Sequence, residues 1–187
     1  MRTPAPAPVT DVGTVELRRA RADDAEALAT VHARAIAALD ATHYTAAERA
    51  AWSARMSPDK YRVLVESRRI TDAEAVTAGG RRIVGYAQLL PDEGVIEGVY
   101  VDPQWARRGT GTALVRALET EARALGLPGL VLDAALHSIP FYRSLGYRQE
   151  CLSHHELAPG VRIACAVMDK RLGATADGDA RRAERPC

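Results

Sequence analysis

Residues 101–114 read Val-Asp-Pro-Gln-Trp-Ala-Arg-Arg-Gly-Thr-Gly-Thr-Ala-Leu and hold the densest chemical information in the chain. An apolar strand-like run precedes them and a helical periodicity comes after, so two glycines and two arginines sit where a strand turns into a helix. Gly109 and Gly111 lack Cβ atoms, which lets an anion approach the backbone closely. The first N–H groups of a helix have no partner inside it and point outward together at the positive end of the dipole. Arg107 and Arg108 add fixed positive charge beside them. The dipole alone offers about 0.3–1 kcal/mol, so charge-assisted hydrogen bonds must supply most of the binding of a diphosphate here. Two other readings fit the same turn. The glycines could serve tight packing alone, or the turn could bind a dinucleotide, with Asp133 ending the next strand. Against the dinucleotide, Leu114 stands where a third glycine belongs, and the turn comes in mid-chain.

The elements around this turn are set by spacing. Val15 to Arg18 alternates as a strand. Ala22-Asp23-Asp24 opens a helix carrying Leu28, Val31, Ala35 and Leu39 at helical intervals. Thr45 with Glu48 forms a capping box before a short helix that holds Trp52, and Ser57-Pro58 begins another. Strands over Glu74–Ala78 and Ile83–Leu90 flank the hairpin pair Gly79-Gly80, and a third runs over Val95–Val101. A long helix from Gly109 to Leu125 places Leu114, Val115, Leu118, Ala122 and Leu125 on one face, and Gly126 and Pro128 stop it. A buried strand at Gly129–Leu132, a short helix at Ser138–Leu145, and strands at Tyr147–Leu152 and Val161–Asp169 complete the order. The fold class is therefore α/β, with a mixed, mostly antiparallel central sheet and flanking helices.

Composition bounds the partners. Hydrophobic residues make up 47% and charged residues 26% of 187, an ordinary globular balance. With net charge +1 and no basic stripe interleaved with aromatics, nucleic acid is not the expected partner. No run approaches the ~18 apolar residues of a membrane span, and the first 14 residues lack the apolar core of a signal peptide. The expected compartment is the cytoplasm. Residues 1–14 read as a proline-rich arm, 15–172 as one folded domain and 173–187 as a polar tail. Cys151, Cys165 and Cys187 show no C-x-x-C spacing, and His154-His155 has no third ligand at metal spacing, so no metal site is expected.

The segment Gly94–Tyr147 resembles the GNAT superfamily of N-acetyltransferases. It has Arg107-Arg108-Gly109-Thr110-Gly111 opening a helix, Leu130-Val131-Leu132 as the next strand, and Phe141-Tyr142-Arg143-Ser144-Leu145-Gly146-Tyr147 as the ending. The element order extends the resemblance over the whole folded region. His43-Tyr44-Thr45 with Trp52 resembles a bacterial subgroup with a small domain. The glutamine or arginine that the family carries three residues before Gly109 is Ala106 here.

The resemblance implies an acetyl-CoA-dependent N-acetyltransferase. Backbone amides of Arg107, Arg108, Gly109, Thr110, Gly111 and Thr112 would hold the pyrophosphate. The strand edge Val99, Tyr100 and Val101 would pair with the pantetheine arm as an added strand does. His137 and Ser138 stand where polar residues of the family often touch CoA. Moving an acetyl group to an amine requires a base, an oxyanion donor and an acid for the leaving thiolate. Tyr142 matches the family's thiolate-protonating tyrosine. Glu97, in an otherwise apolar strand and expected on the same face as Val95, Val99 and Val101, is the candidate base. The Val99 N–H is the candidate oxyanion donor. His43, Tyr44 and Trp52 are expected to line the side of a primary-amine acceptor, either a small molecule or a peptide. None of the three cysteines is expected in the gap that receives the thioester, which favours direct attack in a ternary complex. The family allows a homodimer. The rival readings are a non-catalytic acyl-CoA-binding module on the same scaffold and a nucleotide-binding oxidoreductase.

Overall fold

Alternating strand residues send their side chains to opposite faces, and each face here meets its own set of helices. The computed structural model describes residues 14–67, 69–77 and 79–173. The expected arm and tail, apart from their innermost residues, lie outside these. In chain order come β1 (Thr14–Arg19), α1 (Ala25–Ala37), α2 (Ala46–Ala54), α3 (Pro58–Ser67), β2 (Arg69–Thr77), β3 (Gly80–Leu90) and β4 (Val95–Val101). Then come α4 (Thr110–Ala124), β5 (Gly129–Ala135), α5 (Ile139–Ser144), β6 (Arg148–Ala158) and β7 (Val161–Arg171). The strands form one seven-stranded sheet in the order β1-β2-β3-β4-β5-β7-β6. Every neighbouring pair is antiparallel except β4–β5, which is parallel and bridged by α4. The α/β class with a mixed, mostly antiparallel sheet is as expected. Several strands run longer than their sequence signals, because β2 starts at Arg69 and β6 reaches Ala158.

One face of the sheet packs α4 and α5. Leu114, Val115, Leu118 and Ala122 are fully buried against Ala87, Leu89, Ile96, Leu130 and Met168. Each large apolar side chain sealed there contributes roughly 1.5–3 kcal/mol. Leu125, expected on this face, is instead the exposed C-cap residue, since the helix stops at Ala124 and Gly126 takes a left-handed φ of 73°. The opposite face packs α1 and α3, with Leu28, Val31 and Tyr61 against Ile70 and Tyr86. Thr45 caps α2 as its spacing predicts, its hydroxyl accepting from the Glu48 N–H at 3.2 Å while the Glu48 carboxylate accepts from the Thr45 N–H.

Two irregularities in β4 divide the sheet. Gln88 pairs with Gly98 and Leu89 with Ile96, so Glu97 is an extra, unpaired residue, a β-bulge. The parallel ladder to β5 holds only Val95↔Val131 and Ile96↔Leu132 and then ends. From there β5 stays with β7, pairing Asp133 with Val167 and Ala135 with Cys165. The sheet forks at the bulge.

Candidate functional site: a forked sheet between an open helix start and an aromatic chamber

The helix start is built by a tight relay after β4. The buried Asp102 carboxylate accepts from the Gln104 N–H at 2.9 Å and caps a single 3₁₀ turn that buries Trp105. The Thr110 hydroxyl donates back to the Trp105 carbonyl at 3.3 Å and closes the loop from inside. Ala106, Arg107, Arg108 and Gly109 are left exposed. Gly109 is the N-cap at φ 87°, and the Ala113 N–H makes the first helical bond to its carbonyl at 2.9 Å. The amides of Thr110, Gly111 and Thr112 therefore have no intrahelical acceptor. Arg107 holds a φ of 62°, a left-handed conformation unusual for a residue with a side chain and of the kind found at ligand sites. The Arg108 guanidinium lies over the Trp105 ring at 5.3 Å. The two glycines differ. A Cβ on Gly109 would meet nothing within 4 Å, whereas one on Gly111 would face the Phe141 ring at 3.4 Å and Val101 at 3.8 Å. Close anion approach thus belongs to Gly109, and Gly111 faces the crevice between α5 and β4.

Past Ile96, the β4 edge at Val99–Val101 has no β5 partner. The expected alternation of this strand needs correction. Val99 and Val101 pack with Ile96 on the α4 side, while Glu97 and Tyr100 line the opposite cavity. Glu97 does not share a face with Val99, because the bulge resets the pleat.

That cavity is a chamber of about 580 Å³, bounded by α2 and α3, by β3 and by both arms of the fork. Its wall is aromatic. The His32 Nε2 faces the Trp52 carbonyl at 3.3 Å and so carries the proton, leaving Nδ1 to accept from the tyrosine hydroxyls beside it, Tyr86 at 3.1 Å and Tyr61 at 3.2 Å. Burial holds this imidazole at a pKa of about 4, so it is neutral at pH 7. The Tyr61 and Tyr86 hydroxyls are hydrogen-bonded to each other. Tyr86 stacks on Tyr100 at 5.2 Å, and the Trp52 Nε1–H donates to the Tyr100 hydroxyl at 3.3 Å. Gly98 makes this possible, since a Cβ there would lie 2.6 Å from the Tyr100 ring.

Within the chamber one group is incomplete. Gln88 is 5% exposed and its Nε2 has no partner among the described residues. A buried donor left so costs about 1–3 kcal/mol. On the chamber wall, the Arg55 guanidinium is bonded to His155 Nε2, and His155 Nδ1 lies 3.6 Å from Asp133. Glu97 is exposed and forms no ion pair among the described residues.

Of the expected acceptor residues, only Trp52 lines the chamber. Tyr44 is buried in the core, donating to the Ala164 carbonyl at 2.9 Å and accepting from the Leu136 N–H at 2.8 Å. Its hydroxyl is spent on bracing β7 and the end of β5. His43 is exposed outside the chamber, with its ring 6.4 Å from Tyr44. His137 is exposed, and the Ser138 hydroxyl donates to the Ala135 carbonyl at 2.8 Å. Tyr142 sits on α5 with 7% exposure, its ring 5.7 Å from that of Tyr147, and burial holds its hydroxyl well above the ordinary tyrosine range. Cys165 corrects a further expectation, for it lines the chamber from β7. Sequence reasoning misses His32, Tyr61, Tyr86, Arg55 and Gln88. A glutamine in the buried run Val84–Leu89 is the one available signal.

A model described as the acetyltransferase (GNAT) family matches residues 35–147. Over 76 aligned residues the chain is 38% identical to a glucosamine 6-phosphate N-acetyltransferase of Trypanosoma brucei brucei, an alignment covering 36% of this chain and 52% of that protein. The chain thus spans about half the length of this curated relative. A GCN5-related N-acetyltransferase from Rhodopseudomonas palustris, also described as a class-II aminotransferase, superposes with a TM-score of 0.76 at 30% identity. That superposition covers 85% of this chain and 96% of the other. YncA of Salmonella typhimurium, described as a putative acetyltransferase and solved with acetyl-CoA, superposes with a TM-score of 0.65 at 21% identity over 90% and 99% of the two chains.

Proposed function

The chain belongs to the acetyltransferase (GNAT) family, and from that premise we propose that it transfers the acetyl group of acetyl-CoA directly to a primary amine bound in the chamber. The observation that carries this reading is the fork. Its unpaired β4 edge continues into the exposed helix start at Gly109, and both of its arms wall the chamber. Acetyl-CoA bound to the YncA neighbour supports the choice of cosubstrate. The pyrophosphate would rest on the amides of Thr110–Thr112 beside Arg107 and Arg108, and the pantetheine along Val99–Val101.

The groups at the fork supply the chemistry. An ammonium in the chamber gives its proton to Glu97, directly or through water, since an amine with a pKa near 10.4 is otherwise charged at neutral pH. The amine nitrogen attacks the thioester carbon, and the Val99 N–H stabilises the oxyanion. The carbon–sulfur bond then breaks, the Tyr142 hydroxyl protonates the leaving thiolate, and the acetylated nitrogen gives up its second proton through water to restore the Tyr142 phenol. Burial keeps the phenolic proton on Tyr142 until the thiolate leaves. Much of the rate comes from holding both substrates in line.

The test is release of CoA thiol from acetyl-CoA across a panel of primary amines. Acceptor-dependent release with an acetylated product is expected, and CoA binding without release from any amine overturns the reading. Because Cys165 lines the chamber, intact-mass analysis after incubation with acetyl-CoA alone should find no acetyl adduct. An adduct on Cys165 would replace direct attack by a covalent relay.

A further inference from the structure

The unfinished groups of the chamber describe the molecule that completes them. Gln88 is a nine-tenths-buried amide with an unpartnered Nε2 on the chamber wall. Buried donors are almost always satisfied in native proteins, so this one marks where a ligand acceptor atom belongs. Glu97 is an anion with no cation paired to it among the described residues, and Arg55 is a cation whose bonded side-chain partner is a histidine and not a carboxylate. One cavity therefore presents an anion with no ion-pair partner among the described residues, a cation bonded to a histidine, and an unsatisfied neutral donor. Trp52, Met56, Leu64 and Ile163 supply apolar surface between them.

We propose that the acetyl acceptor is a small amphoteric amine of the amino-acid type, with an apolar side chain. This deepens the transferase reading and rests on it. The register fixes the spacing. Gln88 lies directly across from Gly98, the residue after Glu97, and opposed residues in an antiparallel pair are about 4.5–5.5 Å apart. The base that takes the ammonium proton and the donor for the anion are neighbours, which suits an amine and a carboxylate on the same carbon. Arg55 adds charge-assisted bonding to that carboxylate. The apolar side chain lies against Trp52, Met56 and Leu64. A sugar phosphate would leave this apolar wall unfilled.

The experiment compares matched acceptors in the thiol-release assay with the full chain: phenylalanine against phenethylamine, leucine against isopentylamine, and glucosamine 6-phosphate as a further arm. The expected kcat/KM favours each amino acid over its decarboxylated partner by about 10-fold or more. Gln88→Leu should erase that preference and leave KM for acetyl-CoA unchanged. Its Tm should hold or rise, because the leucine removes an unsatisfied donor, a combination that a purely structural glutamine would not give. Equal or reversed preference within the pairs overturns the proposal while leaving the transferase reading intact. Turnover of glucosamine 6-phosphate without turnover of either amino acid does the same. Should no amine release thiol, the transferase reading fails and the acceptor assignment falls with it, an outcome distinct from equal turnover within the pairs, which overturns the acceptor assignment alone.

Discussion

The two halves of the proposed site are made from different materials. The proposed cofactor side is a contiguous stretch, Val99 to Thr112, whose contacts would be made by main-chain amides at a helix start that the fold leaves exposed. The acceptor side is made of side chains, gathered from His32 on α1 to Cys165 on β7. A backbone site tolerates many side chains but fixes the path of the chain. A side-chain site can be rewritten residue by residue on an unchanged path. On the proposed reading, recognition of a shared cofactor and choice of an individual acceptor are thereby separated in the chain itself.

Three measurements can break or sharpen this separation. The largest effect is expected where neither half is touched. Tyr142→Phe should lower kcat by about 10²–10⁴-fold while leaving the affinities for acetyl-CoA and acceptor nearly unchanged. Steady-state kinetics with calorimetry checks this, and wild-type turnover would remove Tyr142 from the chemistry. Next, Gly109→Asp places a carboxylate in the open space before the helix. Gly109→Asn imposes the same left-handed strain without the charge. Affinity for CoA should fall about 100-fold in the aspartate variant and less than about 10-fold in the asparagine variant, with acceptor binding preserved in both. Equal losses would mean that strain, and not charge, is being read. The smallest effect concerns stability. The His32 pKa is about 4 in the folded chain against an ordinary 6.5, so the unfolded chain takes up the proton first. The stability this gives is full above pH 6.5 and is lost as pH falls towards 4, by at most about 3 kcal/mol. Asp72, whose carboxyl burial raises to about 8, has the opposite slope. Denaturant titration of wild type against His32→Gln cancels that contribution and should expose the acid loss in wild type alone. Parallel curves would show that the chamber imidazole does not titrate as assigned.

What the sequence reveals divides along the same line. The helix start is readable because its signals are local: a glycine pair, neighbouring arginines and the helical period after them. Strand β4 is readable at Val95–Val101 for the same reason. The bulge is not legible, since one unpaired residue alters neither composition nor propensity, and simple alternation therefore puts Glu97 on the wrong face. Tyr44 escapes sequence reasoning because its hydroxyl partners lie 92 and 120 positions further along the chain. Trp52 lines the chamber, yet the tyrosines that share the chamber with it come from α3, β3 and β4, and only the assembled sheet unites them. Gln88 announces itself as a polar residue in an apolar strand, but its lack of a partner is a property of the assembled core.

The surplus residue in β4 decides whether the sheet is whole. Removing Glu97 alone would leave Ile96, Val99 and Val101 on the faces they already occupy and would let Gly98 succeed Ile96 in unbroken register with β3. Nothing would then oblige β4 to part from β5 after Ile96. Loss of a single codon would heal the sheet and abolish the opening in it. The surplus residue thus exchanges continuity of the sheet for the opening beside β4.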